Sequence, residues 1–202
     1  MLRCGEVYEN PVSGERAVIR VGTDETAGER LVVDLYVRPG GRLPAEHYHP
    51  AMFERFSVVR GRVGFRLNGR EAIAEPGTAV EVGPGKVHDW WNAGDTEARV
   101  TVEVSPAARF EAAIRNGFGL AQDGRTDAKG MPGPLQLALF AREFDDVIRF
   151  TKPPRWVQRL VFGFLAPPAR LRGYRGSYPE YLTRPPTSIT SLDELAAVTA
   201  RD

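Results

Sequence analysis

Residues 41–61 read GRLPAEHYHPAMFERFSVVRG and contain two of the three histidines in this 202-residue chain. His47 and His49 are two positions apart, and in a β-strand such residues point to the same face, so their imidazoles can converge on one point. Glu54 has the wrong parity for a continuous strand. Pro50 supplies an interruption, after which a new strand can carry the carboxylate of Glu54 inward.

The third histidine lies outside this stretch. His88 follows the sequence GPGK at residues 83–86, whose glycines and proline permit a tight bend. Three imidazoles and one carboxylate suit a divalent transition metal ion, which could be iron, manganese, nickel, zinc or copper. The sequence therefore predicts one such ion, held by His47, His49, Glu54 and His88.

Residues 1–104 carry the pattern of short β-strands. In RVGFRLN, for example, Val63, Phe65 and Leu67 share one face of a strand. Asn68 and Gly69 both tolerate positive φ and predict a two-residue hairpin turn. Many short strands without helices between them indicate a mainly β sandwich or barrel.

The pattern changes after Ser105. The stretch SPAARFEAAIRNG predicts a helix with Ser105 as its N-cap and Gly117 beyond its end, followed by a loop as far as residue 134. We therefore expect a barrel domain over residues 1–104 and a helical C-terminal extension over residues 105–202.

Apolar residues at helical spacing predict two more helices, within residues 134–150 and 153–165. A capping-box pattern predicts a last helix from Ser191. The apolar stripe within 153–165 has three interpretations, in order of preference. It packs on the outer face of the barrel, it covers the barrel mouth as a lid, or with nearby arginines it rests on an anionic membrane surface.

The spacing around the histidines resembles the cupin superfamily over about residues 29–104. The first cupin motif, G-x5-H-x-H-x4-E-x6-G, is matched in full by Gly41, His47, His49, Glu54 and Gly61. The second, G-x5-P-x-G-x2-H-x3-N, is matched by Gly77, Gly85, His88 and Asn92, with Gly83 where its first proline usually stands. The resemblance implies a double-stranded β-helix barrel with a metal ion inside one mouth, bound by the three histidines and Glu54.

Substrate-binding candidates follow from strand parity. Trp90 shares the parity of His88 and should line the cavity, with Phe56 and Phe65 as further wall. Glu54 could also leave the metal and act as a catalytic base. No other titratable residue is expected to face the cavity, so the metal should carry the chemistry.

Three functions remain open at this point. The ligand set, as in many cupins, implies an enzyme acting on a small apolar, aromatic or enol-type molecule. With iron it would be a dioxygenase and hence an oxidoreductase, and with zinc or nickel an isomerase or cyclase. The third is a non-catalytic cupin that binds or senses a small molecule.

Composition narrows the partners and the location. A net charge of +1 argues against a nucleic-acid partner. Cys4 is the single cysteine, which rules out an internal disulfide framework. We expect a cytoplasmic location, because a lone cysteine suits a reducing compartment and the N-terminus lacks the apolar run of a signal peptide. No apolar run reaches the ~18 residues of a membrane span. Edge strands of such barrels favour a homodimer.

Overall fold

The computed structural model describes residues 1–190. In these residues the strands are β1 (Glu6–Asn10), β2 (Glu15–Val21), β3 (Leu31–Val37), β4 (His47–Tyr48), β5 (Phe53–Arg60), β6 (Val63–Leu67), β7 (Arg70–Ala74), β8 (Ala79–Val82), β9 (His88–Asn92), β10 (Ala98–Ser105), β11 (Arg149–Phe150) and β12 (Ser188–Ile189). The helices are α1 (Ala108–Gln122), α2 (Pro134–Glu143), α3 (Arg155–Leu171) and α4 (Pro179–Thr183).

The strands form two antiparallel sheets. The larger sheet has the order β12-β1-β2-β3-β10-β5-β8, and the smaller has the order β11-β4-β9-β6-β7. From β4 to β10 the chain passes repeatedly between the two sheets, so neighbours in a sheet are rarely neighbours in sequence. The predicted mainly β double-stranded β-helix, followed by helices, is confirmed.

The hairpin between β6 and β7 forms where the sequence predicts it. Leu67 pairs with Arg70, which leaves Asn68 and Gly69 as the loop, with φ values of 49° and 81°. Both values lie in the left-handed region that a two-residue type I′ turn requires. The other edge of β6 pairs with β9, which carries His88.

The hydrophobic core continues from the barrel into the helices. Val100, Val102 and Val104 of β10 are buried in it, as their alternation predicts. The same cluster includes Phe118 of α1 and Phe144, which follows α2. The helices therefore share apolar contacts with the barrel.

The first helix begins and ends later than the sequence predicts. Ser105 is not its N-cap, because Ser105 is the last residue of β10 and pairs with Phe53. Gly117 lies within α1 and not beyond its end. Phe118 and Leu120 are buried, and their burial outweighs the cost of about 1 kcal/mol for a glycine inside a helix.

The segment predicted as one helix over residues 134–150 contains a helix and a strand. Helix α2 ends at Glu143, and Val147 and Ile148 lie outside it. Phe150 pairs with His47, so β11 covers the edge of β4. Backbone pairing with an open sheet edge has therefore prevailed over apolar spacing that also fits a helix.

Helix α3 is longer than predicted and packs differently. It continues through Pro167 and Pro168 to Leu171, since Ala166 and Ala169 are buried in a cluster with Leu139 of α2. No helix within residues 1–190 is both long and apolar enough to cross a bilayer. The helix predicted from residue 191 onward lies outside the described residues.

Two glycines of α1 make a matched test of this packing. A Cβ on Gly119 would lie 2.4 Å from the ring of Tyr181 in α4, whereas a Cβ on Gly117 would meet nothing within 4 Å. We expect Gly119→Ala to lower the free energy of unfolding by about 1–3 kcal/mol through overpacking. Gly117→Ala should raise it by about 0.5–1 kcal/mol, because alanine favours the helix. Urea unfolding measures both, and effects of the same sign would contradict this account.

Candidate metal centre

Two separate backbone segments bring the three histidines together. His47 of β4 pairs directly with His88 of β9. His49 follows β4, and its carbonyl oxygen accepts a hydrogen bond from the N–H of Gly85 at 2.8 Å, which links the two motif turns. The ring centroids lie 4.4 Å (His47–His88), 4.9 Å (His47–His49) and 5.5 Å (His49–His88) apart. One ligand atom from each imidazole lies within 4.8 Å of the others, so the cluster could hold a metal ion.

Glu54 of β5 completes the group. Its Oε2 lies 3.0 Å from Nε2 of His88 and 3.4 Å from Nε2 of His49. All of these side chains are buried, and the three named atoms lack a hydrogen-bond partner among residues 1–190 in spite of their proximity. Buried polar atoms normally have partners, and a cation between them would satisfy all three. Three imidazole nitrogens and one carboxylate oxygen also match the preferences of a divalent transition metal, so the residues fit the implied ion.

Backbone carbonyl groups set the orientation of each imidazole. A ring nitrogen that faces a carbonyl oxygen must carry the proton, which leaves Nε2 with a free lone pair for a metal. The three Nδ1–O distances are 3.0 Å from His47 to Ala45, 2.7 Å from His49 to Val147, and 3.1 Å from His88 to Lys86. All three rings are thus held in the form that a metal ligand needs.

The carbonyl oxygen of Val147 is the partner that sequence reasoning missed. It is separated from His49 by 98 positions and belongs to the connection between α2 and β11. Every residue has a carbonyl group, so no sequence signal could have identified this one. The segment after residue 105 therefore orients a candidate metal ligand.

Burial favours the neutral imidazoles that metal binding requires. Burial lowers the pKa of His47 well below its usual value, and repulsion from His88 and His49 adds to this effect. Burial likewise lowers the pKa of His49, although Glu54 opposes it. Burial also disfavours charge on His88, but Glu54 outweighs this effect and raises its pKa.

A cavity of about 230 Å³ adjoins the four side chains. Phe56 and Trp90 line it, as predicted from their parity. Phe65 lies behind this wall and packs edge-on against Phe56, with a centroid distance of 5.4 Å. Helix α1 contributes Phe110, whose ring lies 5.8 Å from that of His49. The cavity is therefore largely apolar, with the histidines and Glu54 at its wall.

The apolar stripe of α3 does not contribute to this cavity. Trp156, Leu160 and Phe164 are exposed and are not among the lining residues. Phe162 of the same helix instead packs against the core cluster that contains the barrel residues. Helix α1, which the sequence assigned to neither role, lies against the cavity instead.

A second buried carboxyl group lines the cavity, contrary to the expectation from the sequence. Glu15 of β2 accepts a hydrogen bond from the hydroxyl of Ser13, and it shares its strand face with Ala17 and Ile19. Burial raises the pKa of Glu15 to about 7. The strand parity of Ala17 and Ile19 could have revealed it. The cavity thus holds a group that can exchange a proton near neutral pH.

Removing one imidazole should remove the metal ion. We expect about one divalent ion per chain in protein purified without a histidine tag, and little in His49→Ala. Loss of a direct ligand lowers metal affinity by more than the ~10–100-fold that follows a change in a residue hydrogen-bonded to a ligand. Elemental analysis measures this. Glu46→Gln is the control, since Glu46 accepts a hydrogen bond from Thr151 and lies outside the cluster. Unchanged metal content in His49→Ala would contradict the site.

Glu15 should make stability depend on pH with a defined sign. The pKa of Glu15 rises from 4.5 to about 7 on folding, so the folded protein favours its protonated form. Its contribution to the free energy of unfolding is therefore complete below pH 4.5 and is lost as the pH rises through 7. Only the wild type loses this contribution, so the difference in free energy of unfolding between Glu15→Gln and wild type should shift by about 3 kcal/mol in favour of the variant from pH 4 to pH 8. Urea unfolding across this range tests it, with the exposed Glu9→Gln as control. A constant difference from wild type would refute this account.

Comparison with known proteins gives one family and several partial relatives. The Cupin domain family model matches residues 34–104. An oxidoreductase from Arthrobotrys oligospora, AOL_s00215g277, is 26% identical over 158 residues, which are 71% of this chain and 61% of that protein. Tetracenomycin polyketide synthase protein TcmJ from Streptomyces glaucescens is 35% identical over 68 residues, which are 34% of this chain and 46% of that protein. The aligned parts thus span less than two thirds of either relative.

Solved structures similar to this chain include a predicted oxalate decarboxylase from Thermotoga maritima. It is 18% identical, has a TM-score of 0.44, and is matched over 98% of its length by 52% of this chain. The family match covers β3 to β10, which carry both histidine motifs and Glu54. Residues 34–104, which supply most of the two-sheet barrel and the motif spacing, thus match the Cupin domain family.

Proposed function

We propose that this protein is a metal-dependent oxidoreductase of the dioxygenase type that acts on a small apolar, aromatic or enolic molecule. One observation carries the proposal. Three buried atoms, Nε2 of His49, Nε2 of His88 and Oε2 of Glu54, face one another beside an apolar cavity, and none has a hydrogen-bond partner within the described residues. The similarity to an oxidoreductase over 71% of the chain supports the reaction class.

The metal ion would be held by His47, His49, His88 and Glu54. When bound, such an ion supplies Lewis acidity toward a substrate oxygen and, if it is iron, redox chemistry with dioxygen. The protein keeps these ligands rigid through the carbonyl contacts of their Nδ1 atoms. Because the imidazoles are already oriented, they need little rearrangement to bind an ion.

The cavity wall selects and orients the substrate. Phe56, Trp90 and Phe110 present aromatic surfaces to it. Aromatic side chains contact a planar apolar molecule over a large area and exclude water. A cavity of about 230 Å³ favours a small molecule over a polymer.

Two carboxyl groups are available to accept a proton from the substrate. An enol or a phenol gives up its hydroxyl proton when it reacts as an anion, so a base within the cavity accelerates that step. Glu54 is adjacent to the histidines and is our candidate for the catalytic base. Glu15, with a pKa of about 7, is a second acceptor on the same cavity wall.

A second candidate is a non-oxidative isomerase or cyclase for a polyketide-like carbonyl compound. Its support is the similarity of residues in the barrel to the polyketide synthase protein TcmJ and to polyketide synthase CurC of Streptomyces cyaneus, the latter 36% identical over 72 residues. The same ligands and carboxylates would serve a proton transfer without dioxygen. The two candidates therefore differ in oxygen consumption and in the mass of the product.

Oxygen uptake with a defined substrate panel tests the proposal. Protein loaded with Fe(II) or with Zn(II) is given catechols, phenols and β-diketones, and an oxygen electrode is combined with mass spectrometry of the products. We expect the iron form to consume oxygen in proportion to substrate loss. His49→Ala and Glu54→Gln should lower the rate by at least ~100-fold, and Glu46→Gln should retain it.

The other outcomes separate the alternatives. A product of unchanged mass without oxygen uptake would support the isomerase or cyclase. Binding of panel compounds without conversion in any metal form would support a non-catalytic binding protein. Either result would overturn the dioxygenase.

A further inference from the structure

Helix α3 has its more apolar face turned outward. Trp156, Leu160, Phe164 and Leu171 are 68%, 67%, 81% and 90% exposed, respectively. Their spacing of four, four and seven residues places them on one side of the helix. The opposite side carries the buried Gln158, Ala166 and Ala169 and the half-buried Phe162, which packs against the core. A surface helix normally keeps its outward side polar.

The segment that contains α3 is strongly basic. Between Asp146 and Glu180 the sequence has no acidic residue and seven basic ones, namely Arg149, Lys152, Arg155, Arg159, Arg170, Arg172 and Arg175. Because the whole chain has a net charge of +1, the rest of it carries an excess of six acidic residues. The charge of the protein is therefore strongly asymmetric.

Most of these basic side chains are available to an external partner. Arg149 and Arg155 pair with Asp145 at 3.0 Å and 2.6 Å. The other five form no ion pair with any residue in 1–190. Arg159 and Arg170 are eleven positions apart, which is three helical turns, so they follow one border of the apolar side.

We infer that this surface binds a membrane containing anionic phospholipids, with α3 lying parallel to the bilayer plane. We call it the α3 face and define it by the apolar Trp156, Leu160, Phe164 and Leu171 with the basic Arg159, Arg170 and Arg172. The apolar side chains enter the boundary between head groups and acyl chains, and the arginines contact lipid phosphates. The acidic remainder of the chain is repelled by the same surface, which orients the protein on it.

A second copy of the chain fits this surface less well. A two-fold interface would bring the same patch against itself, so the arginines of one copy would face those of the other. Juxtaposed like charges disfavour such a contact. An anionic lipid surface offers both an apolar layer and negative charge. The inference does not depend on the reaction proposed above.

Vesicle sedimentation with the full chain tests the inference. The protein is mixed with vesicles of phosphatidylcholine alone or of phosphatidylcholine with phosphatidylglycerol, at low and at high salt. We expect sedimentation with the mixed vesicles, little with phosphatidylcholine alone, and weaker binding at high salt, since surface charges are screened. Failure to bind the mixed vesicles at low salt would overturn the inference.

Matched variants assign any binding to this surface. Leu160→Ser with Phe164→Ser should weaken binding at least ten-fold. Arg159→Gln with Arg170→Gln should weaken it by about five-fold per charge. Ile73→Ser and Arg70→Gln, both exposed on β7, should leave it unchanged. If the β7 variants lose as much vesicle binding as the α3 variants, the binding is nonspecific adsorption and the α3 face is not the membrane-binding surface.

Self-association is distinguished by light scattering without lipid. All of these positions are exposed, so circular dichroism should report an intact fold in each variant. If Leu160→Ser with Phe164→Ser converts a dimer into a monomer and neither form binds vesicles, the face is an interface between copies and the membrane inference fails.

Discussion

Three buried polar atoms that face one another in the barrel have no hydrogen-bond partner in the described part of the chain, and a cation is the species that would satisfy them together. Each such atom costs about 1–3 kcal/mol when it is left unpaired. Nε2 of His49, Nε2 of His88 and Oε2 of Glu54 nevertheless lie together inside the fold. The barrel keeps them there because β4 pairs with β9 and β5 approaches from the facing sheet. The order of the strands therefore determines which candidate ligands lie next to one another.

The part of the chain after Ser105 contributes to this arrangement. The carbonyl oxygen of Val147 orients His49, Phe110 forms part of the cavity wall, and β11 covers the edge of β4. The apolar core is continuous across the change from strands to helices. The helices therefore hold the site and enclose the cavity. The exposed side of α3 faces away from both, and its chemistry is that of a surface for an anionic, apolar partner.

The cavity combines aromatic walls with two carboxyl groups of different character. Glu54 is close to two imidazoles, whereas Glu15 lies against a hydroxyl group and has a pKa of about 7. A carboxyl group with such a pKa can give up or accept a proton near neutral pH. The two carboxyl groups fit the proposed chemistry on a small molecule, and Glu15 adds a functional group of the cavity beyond the motif residues.

The sequence by itself determined the strands of residues 1–104, the Asn68–Gly69 hairpin and the grouping of His47, His49, Glu54 and His88, because strand parity, turn chemistry and motif spacing can be read along the chain. Only the tertiary structure decided the extent of α1 through Gly117, the pairing of Phe150 with His47, and the position of Phe65 behind Phe56. It also decided the contact of Val147 with His49 and the outward direction of the apolar side of α3. These features depend on packing between distant segments, and local periodicity carries no record of which segments meet.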